Sequence, residues 1–224
     1  MTSPLPANQR LEAFPKYVRR QSMTRLFSLY ELYRRVLLVK GSVVECGVFR
    51  GFGLFAFAHM SAILEPVNLT RRIYGFDTFE GFPTVSAADM SSQLTPETGM
   101  LSASVYDELE QAIKIHDSNR YLGHISKVQL VRGDAVKTIP RFVVDNPHLV
   151  VSLLYLDFDL YEPTRVAIEQ FLPRMPKGAI IAFDELDNPI WPGETLAALD
   201  TVGLNKLRIQ RFEFDPYMGY AVVE

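Results

Sequence analysis

The sequence predicts an open α/β sheet of about seven strands, mostly parallel, with helices on both faces and a closing antiparallel hairpin. Three observations predict it. Short apolar runs alternate with helical segments five times, as in parallel strands joined by crossover helices. The run Val150–Leu156 is unbroken in apolar residues, as a strand covered on both faces must be. Two further strand-like segments follow the alternation, with Asp215-Pro216 expected at the turn between them.

The first element is an amphipathic helix from about Gln21. Met23, Leu26, Phe27, Tyr30, Tyr33 and Leu37 recur at three-and-four spacing, and Gly41 stands where the helix is expected to stop. Val43-Val44 then lead a buried strand into Glu45-Cys46-Gly47. A helix spans Gly53–Leu64 and stops before Pro66. The second strand, Ile73–Phe76, ends at Asp77. Thr78–Ala103 has no strong period and is read as a functional lid or a partly disordered loop, with Thr84–Ala103 the part expected to close over the site. Ser104, with Asp107 three residues on, is the expected cap of the next helix. The third strand is Val128–Val131 and ends at Gly133-Asp134, with a short helix at Ile139–Val144. The fourth, Val150–Leu156, ends at Asp157, and Pro163 suits the first turn of the helix that follows. The fifth, Ala179–Phe183, ends at Asp184-Glu185, before a helix at Glu194–Val202. Leu207–Phe214 and Tyr220–Val223 form the hairpin.

The 224 residues are enough for one sizeable core. Residues 1–20 read as an N-terminal extension and 21–224 as a single domain. A net charge of -3 argues against general nucleic-acid binding. The lone cysteine, Cys46, excludes an internal disulfide and a multi-cysteine zinc site, and is read as a small core residue. Met1–Arg10 lacks the pattern of a signal peptide, and no apolar stretch is long enough to span a bilayer. A cytoplasmic protein with no membrane partner is expected.

The functional signal is positional. Glu45, Asp77, Asp134, Asp157 and Asp184 each fall at the carboxyl end of an expected strand, where open α/β sheets bind ligands. Glu45-Cys-Gly-Val-Phe-Arg-Gly-Phe-Gly53 is a glycine-rich turn feeding a helix N-terminus. It lacks Gly-x-Gly-x-x-Gly, which counts against a nicotinamide-dependent oxidoreductase. An acid just before its first glycine suits a cationic ligand such as the amino-acid part of S-adenosylmethionine. Asp77 is placed to accept from a ribose diol, or to act as a plain turn aspartate. Asp134-Ala135 is placed beside a base, or forms a plain turn. Asp157, Asp159, Asp184 and Glu185 come from neighbouring strands ~4.8 Å apart. Crowded carboxylates must protonate, pair with cations or bind a metal, and an all-oxygen set favours Mg²⁺ or Ca²⁺.

Val44-Glu-Cys-Gly-Val-Phe-Arg-Gly51, Gly75-Phe-Asp-Thr-Phe-Glu-Gly-Phe-Pro83 and Leu156-Asp-Phe-Asp-Leu-Tyr-Glu-Pro-Thr164 resemble the macrocin O-methyltransferases, a family with sugar-methylating members in macrolide and aminocoumarin pathways. The resemblance implies a class I methyltransferase sheet, S-adenosylmethionine in the cleft and Mg²⁺-dependent methylation of a sugar hydroxyl. It maps cofactor binding onto Glu45, Gly47, Arg50, Gly51, Asp77, Thr78 and Phe79, with Asp134, Ala135 and Asp157 alongside. It maps the metal onto Asp157, Asp159, Asp184 and Glu185, with the choice between Asp157 and Asp159 left open. Asp157 and Asp159 are the candidate catalytic residues. Glu185 stands where the family usually has aspartate, and no histidine follows His148.

Further expectations attach to single residues. Arg19, Arg20 and Arg25 are placed to meet a phosphate of a nucleotide-linked sugar, or to form a solvated face. Trp191 is placed to stack on a sugar or to pack in its loop. His59 is read as packed within its helix. Tyr30 and Tyr33 are expected to be exposed and to suit a homodimer interface. A catechol-like acceptor, or a non-catalytic S-adenosylmethionine-binding protein, would carry much the same motifs.

Overall fold

The computed structural model describes residues 4–224. After a short helix α1 (Ala7–Glu12), the chain forms α2 (Arg20–Arg35), β1 (Ser42–Cys46), α3 (Phe52–Leu64), β2 (Ile73–Asp77), α4 (Tyr106–Ser118), β3 (Val128–Arg132) and α5 (Ala135–Asp145). Then come β4 (Val151–Leu156), α6 (Tyr161–Phe171), β5 (Ile180–Phe183), α7 (Gly193–Thr201), β6 (Gln210–Phe212) and β7 (Asp215–Val222). One seven-stranded sheet has the order β3-β2-β1-β4-β5-β7-β6. The five β1–β5 strands are mutually parallel, and β7 is antiparallel to both its neighbours.

The pleat sends alternate side chains to opposite faces. Val43, Leu153, Tyr155 and Ile180 meet Leu29 and Tyr33 of α2 and Leu54 and Phe57 of α3. Val44, Phe76, Leu154 and Phe183 meet Ile139 and Phe142 of α5 and Ile168 and Phe171 of α6. Truncating a fully buried leucine such as Leu153 to alanine would cost about 2–5 kcal/mol. The same alternation puts Glu45 on the face of Val43, beside Tyr155 in register on β4. A carboxylate thus lies under α2 and α3, in an otherwise apolar layer.

Several boundaries differ from expectation. α2 ends at Arg35, and Gly41 instead enters β1 with φ 139°, where a Cβ would stand 2.6 Å from the Ser152 nitrogen. α4 starts after Val105, so Ser104 is not its cap. α5 begins at Ala135, four residues early, because Asp134 caps it and Pro140 is accommodated within the helix. The hairpin turns at Glu213-Phe214, and β7 starts at Asp215. The Asp215 carboxylate explains that start: it accepts from Tyr217 N–H and from Ser28 Oγ of α2.

Two side chains also differ. Tyr33 is fully buried, and its hydroxyl donates to Glu65 at 2.7 Å, so it offers no surface for a second copy. His59 is exposed, its ring edge-on to His116 at 5.0 Å. Cys46 is buried in the core, as expected.

Candidate active site

The carboxyl ends of β1, β2, β3 and β4 open into a cavity of about 410 Å³, within the range of small-molecule sites, and Asp184 and Glu185 after β5 are not among its lining residues. Glu45, Gly47, Arg50, Asp77, Thr78, Ala135, Asp157 and Asp159 line it, together with Arg25 of α2. Most of the residues singled out in the sequence therefore converge on one space.

The turn after β1 is built by close approach. Gly47 has φ 97°, and a Cβ there would lie 1.9 Å from the Asp157 carbonyl oxygen. Gly47 N–H donates to Phe76 O and Asp157 N–H donates to Cys46 O, so the turn is tied to both neighbouring strands. Gly51 takes φ 83° as the cap of α3 and is buried beneath Leu109, so it shapes the turn without lining the cavity. Gly53 leaves room for Glu45: a Cβ there would stand 2.1 Å from Glu45 Oε1. Glu45 is 1% exposed, and its Oε2 has no hydrogen-bond partner. Burial raises its pKa well above the usual carboxylate value, while Arg25 pulls the other way. A buried, unpartnered oxygen is costly unless a ligand completes it.

Asp77 braces this turn. Its Oδ2 accepts from Val48 N–H at 2.9 Å and Phe49 N–H at 2.7 Å, and its Oδ1 accepts from Phe79 N–H at 2.6 Å. Phe49 and Phe79 are held at positive φ. A carboxylate has about four lone-pair sites, so Oδ1 can still accept a further bond. The Thr78 hydroxyl donates to Gly81 O. Phe79 is buried against Tyr106, which makes it a packing residue. Asp134 is turned away: it accepts from Val136 N–H and pairs with Lys137, while Gly133 and Ala135 face the cavity.

The four acids of β4 and β5 are divided by a cation. Arg25 Nη1 donates to Asp184 at 3.0 and 2.8 Å, and Nη2 donates to Asp157 Oδ2. The guanidinium lies 5.8 Å above the Tyr155 ring, and the Tyr155 hydroxyl donates to Asp184 Oδ1. Burial opposes the Arg25 charge, but Tyr155, Asp157 and Asp184 outweigh it and raise its pKa. Burial and Asp184 together raise the Asp157 pKa well above the usual value, with Arg25 partly offsetting them.

Asp159 sits apart at φ 62°. Burial, then Glu185 and Asp184, raise its pKa from 3.8 to about 7. Glu185 is raised by burial and by Asp184, and it holds the Asn188 amide. Among the described residues no three acidic, histidine or cysteine side chains are arranged to hold a metal ion. The oxygen-rich set has the right chemistry for Mg²⁺. As arranged, however, two of its members hold the Arg25 guanidinium, and while they do so the residues do not fit a divalent cation.

Three residues escaped the sequence reading. Glu194, fully buried at the start of α7, accepts from Asp159 N–H at 3.4 Å and Glu185 N–H at 3.1 Å, clamping the turns after β4 and β5. An acid in the first turn of a helix was its only sequence signal. Asp89, in the loop expected to be a lid, is 2% exposed and accepts from Tyr161 N–H at 2.6 Å and from Ser86. Ser86 and Asp89 have the spacing of a capping box, the signal that could have found them. Tyr155 looked like one more apolar strand residue. Arg19 and Arg20 are exposed and do not line the cavity, whereas Arg25 is committed to carboxylates rather than free for a phosphate. Trp191 packs edge-on to Phe82 at 5.9 Å.

A family model for the macrocin O-methyltransferases (TylF) matches residues 19–201. The chain belongs to the macrocin O-methyltransferase family. A tetracenomycin rhamnosyl 4'-O-methyltransferase from Streptomyces olivaceus is 33% identical over 152 residues, which are 66% of this chain and 53% of that protein. The chain thus matches about half the length of that relative. The crystal structure of CalS11, a calicheamicin methyltransferase, is similar over 99% of this chain and 87% of its own, with a TM-score of 0.92 and 38% identity. An apo structure of CalS11, described as a TDP-rhamnose 3'-O-methyltransferase, covers 98% and 87% with a TM-score of 0.83 and 37% identity. The O-methyltransferase NovP, at 21% identity and a TM-score of 0.72, shares the fold. The observed architecture is that of the class I O-methyltransferases. Among the described residues no helix is long and apolar enough to cross a membrane.

Proposed function

We propose that this protein transfers a methyl group from S-adenosylmethionine to a hydroxyl of a 6-deoxyhexose such as rhamnose, carried on a nucleotide or on a natural product. The unpartnered Glu45 oxygen at the end of β1 carries the cofactor part of this reading. A buried carboxylate beside a glycine cradle suits an ammonium group, and Asp77 keeps accepting capacity for a ribose hydroxyl. The acceptor class rests on the relatives, whose substrates are rhamnosyl groups.

When bound, S-adenosylmethionine supplies an electrophilic methyl group on its sulfonium sulfur. The chain's own residues do the rest. Gly47, Gly53 and Asp77 shape the cradle. The Asp159 carboxylate lines the cavity, and among the described residues it has no ion pair, unlike Asp157. It is therefore the group placed to take the acceptor's proton. A base that titrates near neutrality is matched to that role. Mg²⁺ assistance belongs to this reading only where Arg25 yields its two carboxylates.

Calorimetric titration of S-adenosylmethionine into the protein tests the cofactor assignment, with micromolar binding expected. Incubation with methyl-labelled cofactor and TDP-rhamnose, or a rhamnosylated polyketide, then tests the acceptor. Absence of binding by both the cofactor and its demethylated product would overturn the reading.

A further inference from the structure

The Asp157–Asp184 pair is where the resemblance places a metal and where the structure places Arg25. This is more than an incidental surface pairing. Both Asp184 oxygens and one Asp157 oxygen receive the same guanidinium, and Asp184 is 9% exposed. The ring of Tyr155 lies 5.8 Å from the guanidinium, and its hydroxyl donates to Asp184 Oδ1, the oxygen that Arg25 Nη1 also reaches. The arginine is also well mounted. Leu29, Leu32 and Tyr33 bury α2 in the core, and Ser28, three residues from Arg25, is bonded to Asp215 at 2.6 Å. A fixed helix thus delivers one positive charge into a cluster that also contains Asp159, Glu185, Glu194 and Glu45.

We propose that Arg25 is the resident cation of the Asp157–Asp184 pair, and that a divalent cation takes these carboxylates only in exchange with it. The planar fork of arginine bridges two carboxylates in a way that a point charge cannot. A metal ion needs the same oxygens, so the two occupants exclude each other. Positive charge at this site is therefore supplied by the chain itself until a metal displaces it. Arg25 acts here by antagonising a ligand, and the inference rests on the geometry of the acids rather than on methyl transfer.

The test is Mn²⁺ binding, read by the loss of the free-ion electron paramagnetic resonance signal, for wild type, Arg25→Gln and Arg25→Lys. No cofactor or acceptor is present, so failure here is distinguishable from failure of the methyltransferase reading. Arg25→Gln is expected to bind Mn²⁺ at least tenfold more tightly than wild type. Adding Asp184→Asn to it should abolish the gain. Arg25→Lys keeps the charge but loses the bridge, and should bind at least threefold more tightly than wild type. It decides the matter if circular dichroism shows Arg25→Gln to be unfolded. Equal or weaker Mn²⁺ binding by the folded variants would overturn the proposal.

Discussion

The Tyr155 hydroxyl donates to Asp184 Oδ1 across 2.6 Å, joining the middle of the sheet to the acid that follows β5. Tyr155 is fully buried, so its hydroxyl has no solvent to turn to. Tyr155→Phe should destabilise the protein by about 1 kcal/mol, the net worth of one intramolecular hydrogen bond. Urea unfolding measures it. A variant as stable as wild type would show that Arg25 alone holds Asp184.

Glu45→Gln should separate binding from folding. The amide removes a buried charge whose pKa is already raised by burial, so unfolding stability should hold or rise. The cofactor should lose a charge-assisted bond worth about 1.5–3 kcal/mol, or roughly tenfold to a hundredfold in Kd. Unchanged calorimetric affinity would remove Glu45 from the cofactor site.

Gly47→Ala should be far less tolerated than a typical loop substitution. Its Cβ would overlap the Asp157 carbonyl, and φ 97° strains any L side chain. Strain of this kind costs about 1–3 kcal/mol, which at this chain length lowers Tm by several degrees at ~2–4 °C per kcal/mol. A melting curve superimposable on that of wild type would mean that the turn adjusts freely.

Asp159 makes stability depend on pH in a defined sense. Its folded pKa, about 7, lies above its usual 3.8. Between those values the folded state binds the proton more tightly than the unfolded state does, so raising pH through that window costs stability. Asparagine cannot ionise and tolerates φ 62° well. Asp159→Asn should therefore gain stability over wild type as pH rises from about 4 to about 7, and the gain should level off above. Urea titrations in chelator at several pH values test this. A gain independent of pH would contradict it.

Asp89→Ala should release the segment between β2 and α4. The Tyr161 N–H and the Ser86 turn would both lose their acceptor. Limited proteolysis should then cut within 84–103, and KM for the acceptor should rise more than the Kd for the cofactor. Protection equal to wild type would assign the anchoring to Phe82 and Trp191 instead.

The strand-end acids were legible because parallel strands in this chain are short apolar runs, and the residue that ends each run is local information. The roles of Arg25, Glu194 and Asp89 were not. Each depends on a partner far away in sequence, as with Arg25 and Asp184, 159 residues apart. Tyr33 sits on the same three-and-four stripe as Tyr30, yet one is buried and the other 39% exposed, because helical spacing defines a face and not its edge. The hairpin was visible as a type of element, but its turn was misplaced by Pro216. The side chain of Asp215 bonds back to the strand and lets β7 begin there.

The antiparallel β7 lies between β5 and β6 and not at the margin of the sheet. During synthesis β5 therefore emerges with an unpaired edge and keeps it while residues 184–214 are made. A bare apolar strand edge is a template for pairing with other chains. Expression yield should accordingly be most sensitive to changes in Asp215–Val222, the strand that closes that edge last, even though it carries none of the acids that line the cavity.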